Sequence, residues 1–198
     1  MHRRARVSLR LVAAAVLVVG GFVGVIASTA SATTTSGYVL AASDGGVFAF
    51  GRPFAGSLTG HHLNAPIKGV AATPNGKGYW LAAADGGVFA FGDARFLGSM
   101  GGVRLNQPVV GIAPTPDNRG YWLVATDGGV FAFHAPFRGS MGSVHLNKPV
   151  NGMIAYGDGY LMVAADGGVF NFSSKPFSGS LGSRPPPAPI ITISALAS

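Results

Sequence analysis

The sequence predicts an all-β protein: a four-bladed β-propeller of four-stranded antiparallel blades, its ring closed by the C-terminal strand. Three observations predict it. The stretch GYWLVATDGGVFAF at 120–133 recurs as GYVLAASDGGVFAF (37–50), GYWLAAADGGVFAF (78–91) and GYLMVAADGGVFNF (159–172), so that Asp44, Asp85, Asp127 and Asp166 stand 41, 42 and 39 residues apart. A period near 40 residues marks propellers, solenoids and arrays. Further strand-like runs keep fixed offsets from each copy and bring each repeat to the strand content of a propeller blade. Finally, the two ends complement each other. The first copy has no apolar run before it, only Thr33–Ser36, and the last is followed by a spare one, PIITISA at 189–195.

Residues 1–32 stand apart from the repeats. Arg3, Arg4, Arg6 and Arg10 precede 17 apolar residues at 11–27, and Ala30-Ser31-Ala32 fits a small-residue cleavage site. That is the form of a secretory signal peptide cut after Ala32. The alternative is an uncleaved anchor, in which 11–27 is the chain's one contact with the membrane and sits at the lower limit for a span. Either way the single domain at 33–198 is placed outside the cell.

Each repeat opens with two apolar runs, GYWLVA and VFAF in the third copy, separated by Asp-Gly-Gly. Asp-Gly supplies the positive φ of a tight turn, so each copy predicts a β-hairpin. Neither run alternates apolar with polar, which suits strands covered on both faces. ARFLGSM (94–100) and APFRGSM (135–141) are expected as the next strand. A loop ending Leu-Asn-x-Pro follows at 63–66, 105–108 and 146–149, then an apolar run such as PVVGIA (108–113), then a Pro-Asn-Gly or Pro-Asp-Asn turn into the next copy. Pairing 189–195 with the first copy closes the ring and hides the sheet edges. The same arithmetic permits a monomer or a strand-exchanged dimer. An open β-hairpin solenoid is the alternative fold, but it gives no reason for the spare strand.

Composition narrows the function. There is no cysteine, so an exported domain holds by packing alone. Beyond the leader, ten Lys and Arg face seven Asp, and there is no Glu. A net charge of +3 is too mild to argue for nucleic acid as a partner. Glycine, 31 of 198 residues, runs at about twice its ordinary share of ~7%. Its matched offsets mark turns and close sheet contacts.

Symmetry filters the candidates for chemistry. A catalytic group is needed once, whereas a turn is needed in every blade. The repeated aspartates are therefore expected first as turn formers, and as ligand contacts second. Ser57, Ser99, Ser140 and Ser180 follow the same logic and lack the Gly-x-Ser-x-Gly elbow of a nucleophile. Trp80 and Trp122 are core residues or stacking platforms for sugars. The crossing loops differ between copies and carry His61, His62, Arg104, His145 and Lys148. Placed on the rim of Asp44, Asp85, Asp127 and Asp166, these groups make a candidate ligand-binding face. No metal site is expected: His61 and His62 are adjacent and point apart, and no aspartates carry calcium-loop spacing. No cofactor and no catalytic residues are assigned.

The repeat GYWLVATDGGVFAF…GS.G…LN.PV.G, running from 37 to about 183, resembles the tandem repeats of proteins secreted by high-GC Gram-positive bacteria. The resemblance implies a secreted or cell-surface address and no defined activity. The Asp-Gly-Gly hairpin is also similar to the Asp-box of sialidase-type propellers, but Ala49, Ala90, Ala132 and Asn171 occupy its aromatic position. The expected function is a non-catalytic binding or scaffold module at the cell envelope, recognising a wall glycan or an envelope protein. The alternatives are a glycan hydrolase or lyase with its site on the propeller axis, and a purely structural oligomerisation module.

Overall fold

The computed structural model describes residues 37–196; the expected leader at 1–32 lies outside the described residues. The chain is all-β, with no helix among the described residues. Eleven strands form four antiparallel sheets. The first is a hairpin of β1 (Tyr38–Ala41) and β2 (Val47–Phe50). The second pairs β3 (Ile67–Ala72), β4 (Gly78–Ala83) and β5 (Val88–Gly92). The third pairs β6 (Val109–Pro114), β7 (Tyr121–Ala125) and β8 (Val130–Phe133), and the fourth β9 (Val150–Tyr156), β10 (Gly159–Ala164) and β11 (Val169–Phe172).

Every predicted hairpin forms, and the turn chemistry is the same each time. The first glycine of Asp-Gly-Gly takes a left-handed φ of 84°, 80°, 77° and 80° at Gly45, Gly86, Gly128 and Gly167. These values suit glycine because a Cβ would be strained there. The GYWLVA strand lies in the middle of each three-stranded sheet, and β4 and β7 are buried along their whole length. Covered on both faces, it has no polar side to show. VFAF, at the sheet edge, is only half-buried.

Two features differ from expectation. The ARFLGSM-type segment joins no ladder, so each complete repeat has three strands rather than four. Its backbone groups are taken by the tyrosine of the following repeat. The Tyr121 hydroxyl donates to Gly98 O at 2.6 Å and accepts from Leu97 N at 3.2 Å. The Tyr160 hydroxyl likewise donates to Gly139 O at 2.6 Å and accepts from Arg138 N at 3.2 Å, and Tyr79 donates to Gly56 O. The glycines involved sit at φ 131–133° against the phenylalanine ring that ends the next hairpin. A Cβ on Gly56 would lie 2.5 Å from Phe91, one on Gly139 2.5 Å from Phe172, and one on Gly98 would strike Phe133. A tyrosine and a phenylalanine of one repeat thus clasp a glycine of the repeat before.

The second difference concerns the ends. No closing ladder between 189–195 and β1 is found among the described residues. Each hairpin instead hands on to the next first strand: Val109 N donates to Ala84 O at 2.9 Å and Val150 N to Thr126 O at 2.8 Å. Ile190 N continues the series with a 2.8 Å bond to Ala165 O. The terminal segment therefore stands where a fifth repeat's first strand would stand, beside the fourth sheet. Asn151 Nδ2 fixes it there by donating to Ile190 O at 2.6 Å.

The core lies between successive sheets. Val47, Ile67, Tyr79, Leu81 and Ala83 pack at the first junction, Trp80, Val109, Ile112, Tyr121 and Leu123 at the second, and Trp122, Val150, Met153, Tyr160 and Met162 at the third. Tilted aromatic pairs cross the last two, Trp80 on Tyr121 at 5.6 Å and Trp122 on Tyr160 at 5.1 Å between centroids.

Candidate functional site

The Asp-Gly-Gly turn sets the site's floor. In all four copies the aspartate Oδ1 accepts from the N–H two residues on: Gly46 and Gly87 at 2.9 Å, Gly129 at 2.8 Å and Gly168 at 2.9 Å. One carboxylate oxygen thus shapes the turn in every repeat, as symmetry suggested. The hydroxyls of Ser140 and Ser180 are also spent on backbone. Ser140 Oγ accepts from Gly142 N at 3.0 Å and donates to Gly128 O at 3.3 Å, and Ser180 repeats this with Gly182 N and Gly167 O.

At the third and fourth hairpins a groove runs between the hairpin and the crossing loop that precedes it. One, of about 270 Å³, is lined by Arg104, Leu105, Asp127, Phe131 and Ser140 among others. Its counterpart one repeat on, of about 310 Å³, has His145, Leu146, Asp166, Phe170 and Ser180 in the matching places. A third, of about 300 Å³, shares Asp127 with the first and His145 and Lys148 with the second. Arg104, Asp127, His145, Lys148 and Asp166 thus belong to one run of adjoining grooves, cationic from the crossing loops and anionic from the turns. Asp44, Asp85 and His62 line none of these three. Arg104, His145 and His62 are exposed, and among the described residues none of their side chains is engaged in a hydrogen bond or ion pair.

Trp80 and Trp122 sit elsewhere. They are 1% and 0% exposed, and their indole N–H groups donate to Arg95 O and Pro136 O, both at 2.8 Å. No ring face is left for a sugar, so their structural role is packing. A further groove of about 230 Å³, between Tyr38–Val39 and Thr73–Tyr79, contains none of the sequence-derived site residues. It opens where Val39 occupies the place that Trp80 and Trp122 hold in later repeats.

One set of residues escaped the sequence reading. Phe54, Phe96, Phe137 and Phe177 are each more than half exposed, one per repeat. The signal was available as the constant Phe-x-Gly-Ser, but an apolar run read as a strand implies an inward phenylalanine.

The fold changes the acidity of three buried tyrosines and two turn aspartates, Asp117 and Asp158. Burial pushes the hydroxyls of Tyr79, Tyr121 and Tyr160 above their ordinary value, partly offset by hydrogen bonding from the adjacent backbone. Asp158 is lowered by the backbone N–H of Ser174, with the Arg138 guanidinium 2.7 Å away adding to it. These shifts serve the junctions between repeats and not the grooves. No protein-family model matches the chain, and no curated protein matches it.

Proposed function

We propose that the protein is an exported, non-catalytic binding scaffold of the cell envelope, its sheets acting as propeller blades and its run of grooves holding a repeating polymer such as wall glycan. The observation that carries this reading is the recurrence of one groove in matching form at Asp127 and Asp166. Equivalent sites at a fixed pitch suit a ligand with its own repeat, because each further contact is made at high effective concentration. Arginine, histidine and lysine facing aspartate offer both donors and acceptors to hydroxyl and carboxylate groups of a sugar chain.

The test is retention of the purified protein on insoluble cell-wall polysaccharide. Arg104→Ala combined with His145→Ala removes two exposed groups that make no side-chain hydrogen bond or ion pair among the described residues, and is expected to lower retention at least tenfold with unchanged thermal unfolding. Asp127→Asn with Asp166→Asn keeps an oxygen for each turn while removing the charge, and is expected to do the same. Undiminished retention in both variants would remove the grooves as the binding face.

A further inference from the structure

The repeat-to-repeat clasp occurs three times within the chain, and each of its two halves occurs once more without its partner. At the N-terminal end, Tyr38 and Phe50 stack on each other at 5.0 Å between centroids, with no glycine clasped among the described residues. Tyr38 is 64% exposed where its equivalent Tyr79 is 4%, and Leu40 is 53% exposed where Leu81 is 0%. At the C-terminal end, Gly179 adopts φ 132°, as Gly56, Gly98 and Gly139 do, but a Cβ there would meet nothing within 4 Å.

The hydrogen bonds match the side chains. Ala84, Thr126 and Ala165 each donate a backbone N–H to the proline opening their own sheet's first strand, at Pro66, Pro108 and Pro149. Ser43, their counterpart, makes no such bond among the described residues, because the first sheet has only its hairpin. Pro189 precedes Ile190 as Pro66 precedes Ile67, and the terminal segment joins no sheet. Among the described residues, one end is a sheet without a first strand, and the other is a segment in the first-strand position without a sheet.

We infer that the two ends dock on each other between two copies of this chain, head to tail, closing a ring of eight sheets. The partner is a second copy because the unfilled halves at the two ends carry the same tyrosine, phenylalanine and glycine as the filled halves inside the chain, while within one chain the two halves are left apart. Four sheets from each copy give a blade count at the top of the usual range of 4–8. A heterologous contact closes into a ring when its rotation permits.

The internal ladders dictate the register of the contact. Ala71 faces Trp80 and Ala72 faces Tyr79 in the second sheet. By the repeat offset, Ser194 of one copy faces Val39 of the other, and Ala195 faces Tyr38. Tyr38 then donates to Gly179 O, its ring and that of Phe50 cover Gly179, and Ser43 N donates to Pro189 O.

The experiment uses the full chain with Val39→Cys and Ser194→Cys, which introduces the chain's only thiols. Residues directly opposite in an antiparallel pair have Cα atoms about 4.5–5.5 Å apart, within disulfide range. Under mild oxidation the expected product is a covalent dimer. In sedimentation equilibrium the unmodified chain is expected at twice the monomer mass, and Tyr38→Ala is expected to weaken association at least tenfold while leaving the circular dichroism spectrum unchanged. A disulfide within one chain would mean that a single copy closes its own ring, and would overturn the inference. A monomeric mass, no crosslink, or assemblies larger than two copies would overturn it equally. Glycan retention plays no part in these readouts, so this result and that for the grooves fail independently.

Discussion

Replacing Tyr121 with phenylalanine isolates what the clasp contributes to stability. The ring stays, with its packing on Trp80 at 5.6 Å and on Phe133 at 5.5 Å. Only the hydroxyl goes, and with it a bond given to Gly98 O and one taken from Leu97 N. The structure offers those two backbone groups no ladder as an alternative. An intramolecular hydrogen bond contributes about 1 kcal/mol net, and stranding a half-buried donor or acceptor costs about 1–3 kcal/mol. We therefore expect Tyr121→Phe to lose about 2 kcal/mol. For a domain of this size each kcal/mol shifts the melting temperature by about 2–4 °C, so the expected fall is roughly 4–8 °C. Urea unfolding followed by circular dichroism checks it, with an unchanged denaturant slope showing that the folded state is intact. Tyr160→Phe removes the same pair of bonds one repeat later and is expected to behave alike. Losses under about 0.5 kcal/mol at both positions would refute the reasoning, since water would then be serving Gly98 and Leu97 as well as the tyrosine does.

The same hydroxyls predict an alkaline limit. Their folded pKa values lie above the ordinary 10, so the folded state holds these protons more tightly. Their contribution is complete below pH 10 and declines as pH rises toward the folded values, and the triple variant Tyr79→Phe, Tyr121→Phe, Tyr160→Phe should flatten that decline in a pH series of unfolding curves. On the acid side, Asp158 is held below its ordinary value, so its contribution is present at neutral pH and lost as pH falls below about 4; Asp158→Asn should reduce the acid sensitivity in the same series. Gly98→Ala combines a strained φ with a methyl group driven into Phe133, and is expected to cost about 2–4 kcal/mol by urea unfolding. Trp122→Ala is expected to cost about 3–5 kcal/mol, read as a lower melting temperature, because it empties a fully buried site.

Much of this was legible in the sequence because turn chemistry is local. Asp-Gly-Gly specifies its own geometry, and an aspartate that bonds two residues ahead needs no distant partner. The buried middle strand was legible too, since GYWLVA has no polar face to expose. What escaped depends on neighbours. ARFLGSM has the composition of a strand, but whether it joins a ladder is decided by the Tyr121 hydroxyl, which takes Leu97 N and Gly98 O first. Trp80 and Trp122 suited core and sugar alike until the carbonyls of Arg95 and Pro136 were seen to accept their N–H groups. The grooves fell between these cases. The aspartates and the crossing-loop bases could be named from their offsets, but only the packing of one repeat on the next sets Arg104 and Asp127 along the same groove.

The clasp also bears on how such a molecule lengthens. Each junction is made by the tyrosine and phenylalanine of one unit and the glycine of the unit before, so a duplicated unit carries both a key and a lock. Copying a whole unit inserts one more junction of the same kind and leaves the others intact. Copying part of a unit leaves a tyrosine without its glycine. Growth by whole units is therefore the route this architecture favours, with the number of sheets free to change while the chemistry of every junction stays the same.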